Sequence, residues 1–461
     1  MIKLYVKGHS AVTPLTEIIH AFTGEKVEVT DCAENADVVS IFDGETITTD
    51  AFGICNENAV MPSKIRNEKQ RIGDAAKLGV YLIASEKIGT DLPWGTITGI
   101  RPQKLVEQFY EAGEADEFKK RFRVSDKKIK LSLMAAESQK SIKSDTDGVC
   151  VYIGIPFCPS RCLYCSFVSL PMEKQKSLIV PYVDCLVREI EYTAQLIKNS
   201  GKTVKALYIG GGTPTSLNEE LFDKVVTAAG THFAGVKEFT VEAGRADTIT
   251  ESKLKSALDA GMTRVCINPQ TLNNDVLKAI GRNHSAEDFE SAFYMARSLG
   301  INHINTDLIA GLPGETPEMF GKSLDRLLEL EPDGVTVHTM CVKRAADLKT
   351  ADYKTFDAVE MVDYASERLT ENGYLPYYLY RQKDTLGCLE NTGYAKPGKE
   401  SYYNVFMMDD LGTVIGIGAG SVTKIKTEGE NNFRRIYNFK NPTEYISMFD
   451  EVLKRKDDYD L

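Results

Sequence analysis

Three cysteines stand close together in the segment YIGIPFCPSRCLYCSF, where Cys158, Cys162 and Cys165 form a CxxxCxxC spacing. Thiolates this close on a loop can converge on one soft metal centre. If that centre is a four-iron cluster, three thiolates leave one iron without a protein ligand, and that iron could bind a cofactor. The alternatives are zinc or three unrelated thiols, but tetrahedral zinc normally takes two CxxC-like pairs, and the sequence has no second pair. The spacing therefore favours an open iron–sulfur site.

A glycine stretch, GGGTP at positions 210–214, follows the cysteines by about one strand and helix. Residues without a Cβ atom let the backbone approach a ligand closely at a strand end. Such a stretch is often only a turn. Its position after the cysteine motif indicates a cofactor-binding loop.

Around these motifs, short apolar segments alternate with longer amphipathic ones, as in parallel strands joined by helices. The predicted strands cover 150–155, 204–209, 238–242, 264–268, 303–309 and 334–338, and the predicted helices cover 180–199, 218–229, 252–260, 285–299 and 317–330. Right-handed crossovers would arrange these repeats as an open or partial barrel. In such barrels functional residues gather at the carboxyl ends of the strands, where both motifs fall.

A polar run ending at Gly148 marks a domain boundary. We predict an α/β protein with three parts: an N-terminal α/β extension of unknown role (1–145), a partial (β/α)6 barrel (146–345) and a C-terminal α+β region (346–461). In the extension, the basic stretch 119–130 is interpreted as a solvated helix face. The segment PWGTITGIRPQK (93–104) is either a docking element or a turn.

The composition is that of a globular protein, with 461 residues, 43% hydrophobic and 26% charged. A formal net charge of −11 disfavours nucleic acid or an anionic membrane as a partner. Because no run of 18 apolar residues occurs, we expect no membrane span and a cytoplasmic location. Ten cysteines in such a chain favour thiol, metal or catalytic roles over disulfides.

The CxYC ending of the cysteine motif, followed by GGGTP, resembles the radical S-adenosylmethionine (SAM) superfamily. The resemblance implies a [4Fe-4S] cluster on Cys158, Cys162 and Cys165 whose open iron chelates SAM. One electron then cleaves SAM to a 5′-deoxyadenosyl radical. Over about residues 145–425 the sequence further resembles the oxygen-independent coproporphyrinogen III oxidases (coproporphyrinogen dehydrogenases), and among them the HemZ-like branch.

This resemblance implies roles for residues at matching positions. Tyr152 would lie against SAM, and Glu242 would pair with its amino group, as charge complementarity also favours. The implied cofactor-binding set is Tyr152, Gly211, Gly212, Thr213, Glu242, Gln270, Arg282, Asp307, Cys341 and Val422. Gln270, Arg282 and Asp307 are also the implied catalytic positions, because in the family they line a second SAM site near the substrate.

The C-terminal stretches ENTGYAKPGKESYYN and GIGAGSV resemble the family's closing region, with an asparagine-containing strand (Asn404) and a glycine-rich turn (418–422). Three departures from the family stand out. Gly154 replaces a histidine, Phe167 replaces a fourth cysteine, and Cys341 replaces an alanine. Since the haem-chaperone branch shares the Phe167 departure, the resemblance defines the cofactor better than the substrate.

If the substrate is coproporphyrinogen III, the resemblance implies hydrogen abstraction from two propionates and loss of carbon dioxide, giving the vinyl groups of protoporphyrinogen IX. Such a tetracarboxylate needs basic donors, for which we predict Lys343, Arg344 and Arg381. Two alternatives stay open: a haem-trafficking protein that keeps the cluster and SAM, and a radical enzyme acting on haem. The expected partners are a tetrapyrrole and an unidentified reductant such as flavodoxin or ferredoxin.

Overall fold

The computed structural model describes residues 1–165, 170–341, 355–383, 385–427, 432–459 and 461. The chain separates into two compact units, Met1–Glu137 with Leu379–Asn391 and Ser138–Tyr378 with Thr392–Leu461. Residues 392–461 thus belong to the same unit as the predicted barrel, and the division into three functional parts stays a prediction. No helix in the described ranges is long and apolar enough to cross a membrane.

The first unit is built on a five-stranded sheet in the order β2-β1-β3-β4-β5. The strands are β1 (Ile2–Lys7), β2 (Val27–Val29), β3 (Val38–Phe42), β4 (Thr46–Ala51) and β5 (Ile54–Ala59), and the first helices are α1 (Val12–Thr23), α2 (Glu68–Ile88), α3 (Pro102–Glu111), α4 (Ala115–Phe122) and α5 (Asp126–Ser138). Its core joins inward residues of the sheet, such as Leu4 and Ile47, to Leu15 of α1 and Val80 of α2. The sheet and these two helices therefore pack around one hydrophobic core.

The interpretation of 119–130 as a solvated face is wrong at two positions. Arg121 and Lys128 are buried, and the Lys128 ammonium lies 2.8 Å from the carboxylate of Glu390. The indole of Trp94 donates to the other oxygen of Glu390 at 2.6 Å. Trp94 is the second residue of the 93–104 segment, which forms a turn and then the start of α3. Lys128, which was expected at the surface, is therefore buried and paired with Glu390, and Glu390 also accepts a hydrogen bond from Trp94.

An 11-stranded sheet, with most of its strands in the second unit, has the order β14-β15-β13-β12-β11-β10-β9-β6-β16-β17-β18. These strands are β6 (Val149–Ile155), β9 (Val204–Gly211), β10 (Glu238–Ala243), β11 (Arg264–Ile267), β12 (Ile304–Ala310), β13 (Gly334–Thr339), β14 (Leu375–Arg381), β15 (Glu390–Ala395), β16 (Thr413–Ile417), β17 (Val422–Lys426) and β18 (Phe433–Tyr437). A separate pair consists of β7 (Phe157–Cys158) and β8 (Leu170–Pro171).

The remaining helices are α6 (Lys140–Lys143), α7 (Lys176–Asn199), α8 (Glu219–His232), α9 (Glu251–Asp259), α10 (Asn274–Ala279), α11 (Ala286–Ser298), α12 (Pro317–Leu330), α13 (Thr355–Glu371), α14 (Tyr402–Met408), α15 (Pro442–Ser447) and α16 (Phe449–Asp457). The six predicted parallel strands, β6 and β9 to β13, are confirmed and lie side by side. A seventh parallel strand, β16, was not predicted and pairs with the outer edge of β6.

Four helices of the barrel begin where a side chain accepts a hydrogen bond from the first turn. Asn218, Thr250, Ser285 and Thr316 cap α8, α9, α11 and α12 respectively. Capping side chains satisfy backbone N–H groups that have no partner inside the helix. The loops that lead into these four helices therefore end at defined residues.

A buried carboxylate on α7 holds the C-terminal part of this unit. Glu189 lies 3.0 Å from the Lys456 ammonium and accepts hydrogen bonds from the hydroxyl of Tyr445, the side chain of Asn438 and the backbone of Gly418. Both charged side chains are almost fully buried. The carboxylate thus joins α7 and α16 to the turn between β16 and β17.

We expect Lys456→Met to lower the free energy of unfolding by about 3 kcal/mol, because the Glu189 carboxylate would stay buried without its cation. The control Lys454→Met, at an exposed position of the same helix, should change it by less than about 0.5 kcal/mol. Urea denaturation followed by circular dichroism measures both. Equal effects would contradict a special contribution from the buried ion pair.

Candidate active site

The cysteine loop begins directly at the end of β6. Cys158 and Cys162 are buried, and Cys165 is half-buried. The backbone N–H of Cys165 donates to the carbonyl of Cys162 at 3.0 Å, which folds the loop back on itself. Within the described ranges no three His, Cys, Asp or Glu side chains are grouped as metal ligands would be, so the convergence of the three thiols stays a prediction. Phe167 lies outside the described residues.

The glycine loop after β9 packs directly against the cysteine loop. The N–H of Gly212 donates to the Ile155 carbonyl and that of Thr213 to the Phe157 carbonyl, both at 2.7 Å. The Thr213 hydroxyl lies 3.5 Å from the Cys158 sulfur. A Cβ atom at Gly212 would stand 2.5 Å from the Phe157 oxygen and 3.0 Å from that sulfur. Only glycine therefore permits this approach of the two loops.

Glu242 projects from the end of β10 toward the same glycine loop. The Tyr208 hydroxyl on β9 donates to Glu242 Oε1 at 2.7 Å. A Cβ atom at Gly210 would lie 2.7 Å from Oε2, and the backbone of Gly211 also contacts the carboxylate. Burial raises the pKa of Glu242 to about 7 against the lowering effect of the Tyr208 hydrogen bond. The carboxylate is thus held ready to pair with a cation.

A second acid, Asp307 on β12, is close enough to raise the pKa of Glu242 further. Asn305 donates to Asp307 Oδ1 at 2.9 Å, and His338 Nε2 lies 3.5 Å from Oδ2. Both Asp307 and His338 keep partial exposure. No sequence motif marks His338, and its one signal is its place near the end of β13 on the same face as Thr336. The strand ends thus carry two acids and an imidazole.

Gln270 occupies a strained position beyond β11. Its φ of 71° is unusual for a residue other than glycine and costs on the order of 1 kcal/mol. Two backbone hydrogen bonds, to Asp307 and from Ile309, hold it beside β12. Its side-chain Oε1 is buried, and no described group donates to it. Strain together with an unsatisfied acceptor is typical of a ligand-binding residue.

Arg282 lies against the cysteine loop. Its guanidinium donates to the hydroxyl of Tyr164, between two of the cysteines, and to the carbonyls of Gly244 and Asn268. The Cys162 thiol also contacts it. Arg282 therefore holds the cysteine loop in place. Its contact with a second SAM molecule stays a prediction.

Arg245 is a further support that sequence analysis missed. It donates two hydrogen bonds to Asp247, at 2.9 and 2.6 Å, and a third to the Ser160 hydroxyl at 2.6 Å. Its side chain is 2% exposed. The only sequence signal was a basic residue in the loop after the third strand of the barrel. Arg245, just beyond β10, and Arg282, in the loop after α10, thus both hold the cysteine loop.

Three tyrosine rings line the interior beside Glu242. Tyr152 and Tyr208 stack with centroids 6.2 Å apart, and Tyr403 stacks on Tyr208 at 4.7 Å. Tyr152 was predicted, whereas Tyr208 and Tyr403 were not. Tyr403 belongs to α14, so only the folded chain brings it to this wall.

The other predicted positions have different outcomes. Asn404 lies on helix α14, so its assignment to a strand is wrong. The 418–422 stretch is a turn, ending in Val422 at the start of β17, and the carbonyl of Ala419 in that turn faces Gly154. Cys341 is half-buried after β13. Lys343 and Arg344 lie outside the described residues.

Arg381 does not have the surroundings of a substrate-binding residue. It belongs to the first unit, is almost fully buried, and donates to the Ile97 carbonyl. Burial lowers the pKa of its guanidinium. Its hydrogen bonding thus supports that unit, which corrects the expectation that it binds a carboxylate of the substrate.

The residues present fit an iron–sulfur cluster with a bound SAM. Three thiols share one short segment, and the glycine loop leaves no room for side chains beside Cys158. Buried side-chain oxygens of Gln270 and Asn268 have no donor among the described residues. Glu242 supplies a carboxylate for an ammonium group. The ammonium group of an amino acid cofactor therefore finds an acid and hydrogen-bond acceptors in this region.

Comparison with known proteins agrees with this site. The family model described as the radical SAM superfamily matches residues 152–327, so this part of the chain is a radical SAM domain. This superfamily implies a [4Fe-4S] cluster and SAM. A relative from Bacillus subtilis (strain 168), the oxygen-independent coproporphyrinogen-III oxidase-like protein HemZ, is 38% identical over 398 residues, covering 82% of this chain and 79% of the relative. The chain belongs to this oxygen-independent coproporphyrinogen-III oxidase-like family.

Two further proteins are similar to this chain. The haem chaperone HemW of the same bacterium is 30% identical over 284 residues, covering 59% of this chain and 69% of the relative. The structure of coproporphyrinogen III oxidase (HemN) from Escherichia coli matches with a TM-score of 0.54 at 24% identity, covering 68% of this chain and 72% of that one. That structure supports the fold alone.

We expect Gly212→Ala to lower the iron content of the reconstituted protein, because a methyl group would meet Phe157 and Cys158 at an overpacking cost of about 1–3 kcal/mol. Gly99→Ala is the matched control, since a Cβ atom there meets nothing within 4 Å. Iron and sulfide analysis with the visible absorption spectrum measures both variants. Full cluster content in Gly212→Ala would contradict a close packing of the two loops.

We expect SAM affinity to fall as the pH is lowered through about 7, where Glu242 takes up a proton. Its carboxylate is charged above that pKa and can pair with an ammonium there, whereas the protonated acid cannot. Equilibrium dialysis from about pH 5.5 to 7.5 stays below the usual titration of an α-amino group. Glu242→Gln should bind more weakly at the upper limit and lose the pH dependence. A wild-type profile in this variant would place the ammonium elsewhere.

Proposed function

We propose that this protein converts propionate side chains of coproporphyrinogen III to vinyl groups by radical SAM oxidative decarboxylation, giving protoporphyrinogen IX. Each conversion removes a hydrogen atom from the propionate β-carbon, releases carbon dioxide and passes one electron to an acceptor. The carbon–carbon double bond of the vinyl group is left. This reaction belongs to anaerobic haem and porphyrin biosynthesis.

One observation carries the proposal: acids, an amide and an imidazole gather at the ends of the barrel strands. Glu242 and Asp307 interact there, and His338 faces Asp307. Gln270 is hydrogen-bonded to the backbone of Asp307. This arrangement occurs in a chain 38% identical to a coproporphyrinogen-III oxidase-like protein. The strand-end position is where barrel enzymes carry their reactive groups.

The roles of the chain's own residues follow from their contacts. Cys158, Cys162 and Cys165 would hold the cluster, which together with SAM supplies a radical able to abstract hydrogen from an unactivated carbon. Glu242 would bind the ammonium of SAM, and Gly212 lets the backbone approach closely. Tyr152, whose ring stacks on Tyr208, would lie against the same cofactor. The loops over the strand ends would keep water from the radical.

A second SAM molecule is part of the proposal. Gln270, Arg282, Asp307 and Cys341 would contact it near the substrate. The buried Oε1 of Gln270, which no described group satisfies, supports this assignment. A small reductant such as flavodoxin or ferredoxin would supply the electron that starts the reaction.

A haem-trafficking function is the second candidate, and the haem chaperone relative at 30% identity favours it. In that case the cluster and SAM would be retained while haem is bound rather than altered. A radical enzyme that opens the haem ring is the third. All three share the cofactor and differ in what happens to the tetrapyrrole.

The three functions are distinguished by one experiment. The anaerobically reconstituted protein is incubated with SAM, a reductant and coproporphyrinogen III, and in parallel with haem; tetrapyrroles and 5′-deoxyadenosine are then quantified. Vinyl products formed together with 5′-deoxyadenosine support the oxidase. Stable haem binding without either product supports trafficking and overturns the proposal. Consumption of haem supports the third function.

We expect Cys162→Ala to abolish SAM cleavage while the protein stays folded, because the cluster loses one of its three proposed ligands. Cys185→Ala, at a buried cysteine on α7, is the matched control and should keep cleavage. Production of 5′-deoxyadenosine and far-ultraviolet circular dichroism measure activity and folding. Full cleavage by Cys162→Ala would refute the proposed cluster site.

A further inference from the structure

We propose that Tyr208 is a positioning residue that holds the Glu242 carboxylate for an ammonium ligand, and that Tyr403 on α14 holds Tyr208 in turn. The proposal rests on that part of the proposed function which pairs Glu242 with the amino group of SAM. It assigns to helix α14 a part in cofactor binding.

Tyr208 and the glycine loop contact different oxygens of the Glu242 carboxylate. The hydroxyl of Tyr208 donates to Oε1 at 2.7 Å, while Oε2 lies over Gly210, where a Cβ atom would come within 2.7 Å. Glu242 is on β10 and Tyr208 on the adjacent β9. A glutamate side chain has three rotatable bonds, so these two contacts select one orientation among several. Tyr208 therefore keeps the Glu242 carboxylate beside the glycine loop, which packs against Cys158.

The ring of Tyr208 is itself held by stacking. Tyr403 lies 4.7 Å away at an interplanar angle of 28°, and Tyr152 lies 6.2 Å away at 23°. Offset aromatic pairs of this kind gain energy beyond simple burial. Removing Tyr403 would free one whole face of the Tyr208 ring.

Helix α14 is anchored so that Tyr403 cannot easily move. Glu238, at the start of β10, accepts hydrogen bonds from the Ser401 hydroxyl at 2.9 Å and from the backbone N–H groups of Tyr402 and Tyr403 at 2.8 and 3.1 Å. Its side chain is buried. The carboxylate at one end of β10 thus fixes the helix that supports the carboxylate at its other end.

The groups that face Glu242 determine the direction of the expected effect. They are the tyrosines Tyr152, Tyr208 and Tyr403, the thiol of Cys266, the acid Asp307 and the imidazole of His338. Burial raises the pKa of Glu242, and Asp307 adds to this, while the hydrogen bond from Tyr208 opposes it. Loss of the hydroxyl should therefore make the carboxyl harder to ionise.

The test is SAM binding to the reconstituted holoprotein by equilibrium dialysis between about pH 5.5 and 7.5. We expect Tyr208→Phe, which keeps the stacked ring, to bind SAM about tenfold more weakly at pH 7. Its pH midpoint should shift to higher pH, so that its affinity falls more steeply than that of the unaltered protein as the pH is lowered from about 7.5. Binding of 5′-methylthioadenosine, which has no amino acid group, should change little. Tyr374→Phe is the matched control, because it removes a buried hydroxyl bonded to the Pro332 carbonyl, away from Glu242.

Two variants test the role of α14. Tyr403→Phe retains the ring and should leave SAM affinity unchanged, whereas Tyr403→Leu removes the stacking and should weaken it several-fold in the direction of Tyr208→Phe. Circular dichroism checks that each variant is folded. Equal affinities of the Phe and Leu variants would overturn the part assigned to Tyr403.

The outcomes distinguish a failure of the positioning role of Tyr208 from a failure of the ammonium site at Glu242. If Glu242→Gln weakens SAM binding but Tyr208→Phe changes neither affinity nor pH midpoint, the positioning role is wrong and the ammonium site stands. If Glu242→Gln has no effect, the ammonium site itself is wrong. A decrease equal to that of Tyr374→Phe would show only a loss of stability. Since the assay contains no tetrapyrrole, a wrong tetrapyrrole substrate leaves all these outcomes unchanged.

Discussion

The site depends on the contact between two backbone segments beyond the ends of β6 and β9. The strands pair in register as far as Ile155 and Gly211, and the chain then continues the contact through Gly212 and Thr213. Because side chains are absent at three successive positions, the loops approach to backbone distance. The cysteine loop, the glycine loop and the Glu242 carboxylate are thereby brought to one point. Every other group of the site is arranged around this contact.

Much of the barrel could be predicted because its strands are short, apolar and separated by amphipathic helices. All six predicted strands were found, with bounds that differ by one or two residues. The seventh strand, β16, was missed because GTVIGIGAG is rich in glycine, which is typical of a turn rather than of a strand. Local periodicity therefore identifies the repeating part of the barrel but not the strand that completes its edge.

The candidate site was predictable where a motif carried the information, as with the cysteines, the glycine loop, Tyr152 and Glu242. Tyr208, Arg245 and His338 have no motif, and their contacts depend on which strands are neighbours. Arg381 shows the opposite error, because a basic residue near a strand end was assigned to the substrate but is buried against a backbone carbonyl. Charge and sequence position alone do not distinguish a binding residue from a structural one.

The parallel pairing of β6 with β16 has a consequence for synthesis of the chain. More than half of the sequence lies between these two strands. While the protein is being translated, β6 and the cysteine loop after it leave the ribosome with one strand edge uncovered. The edge closes only when the C-terminal segment has been made, since long-range parallel pairing forms late. The barrel around the cysteine loop is therefore completed only near the end of translation, when this edge is also no longer open to pairing with other chains.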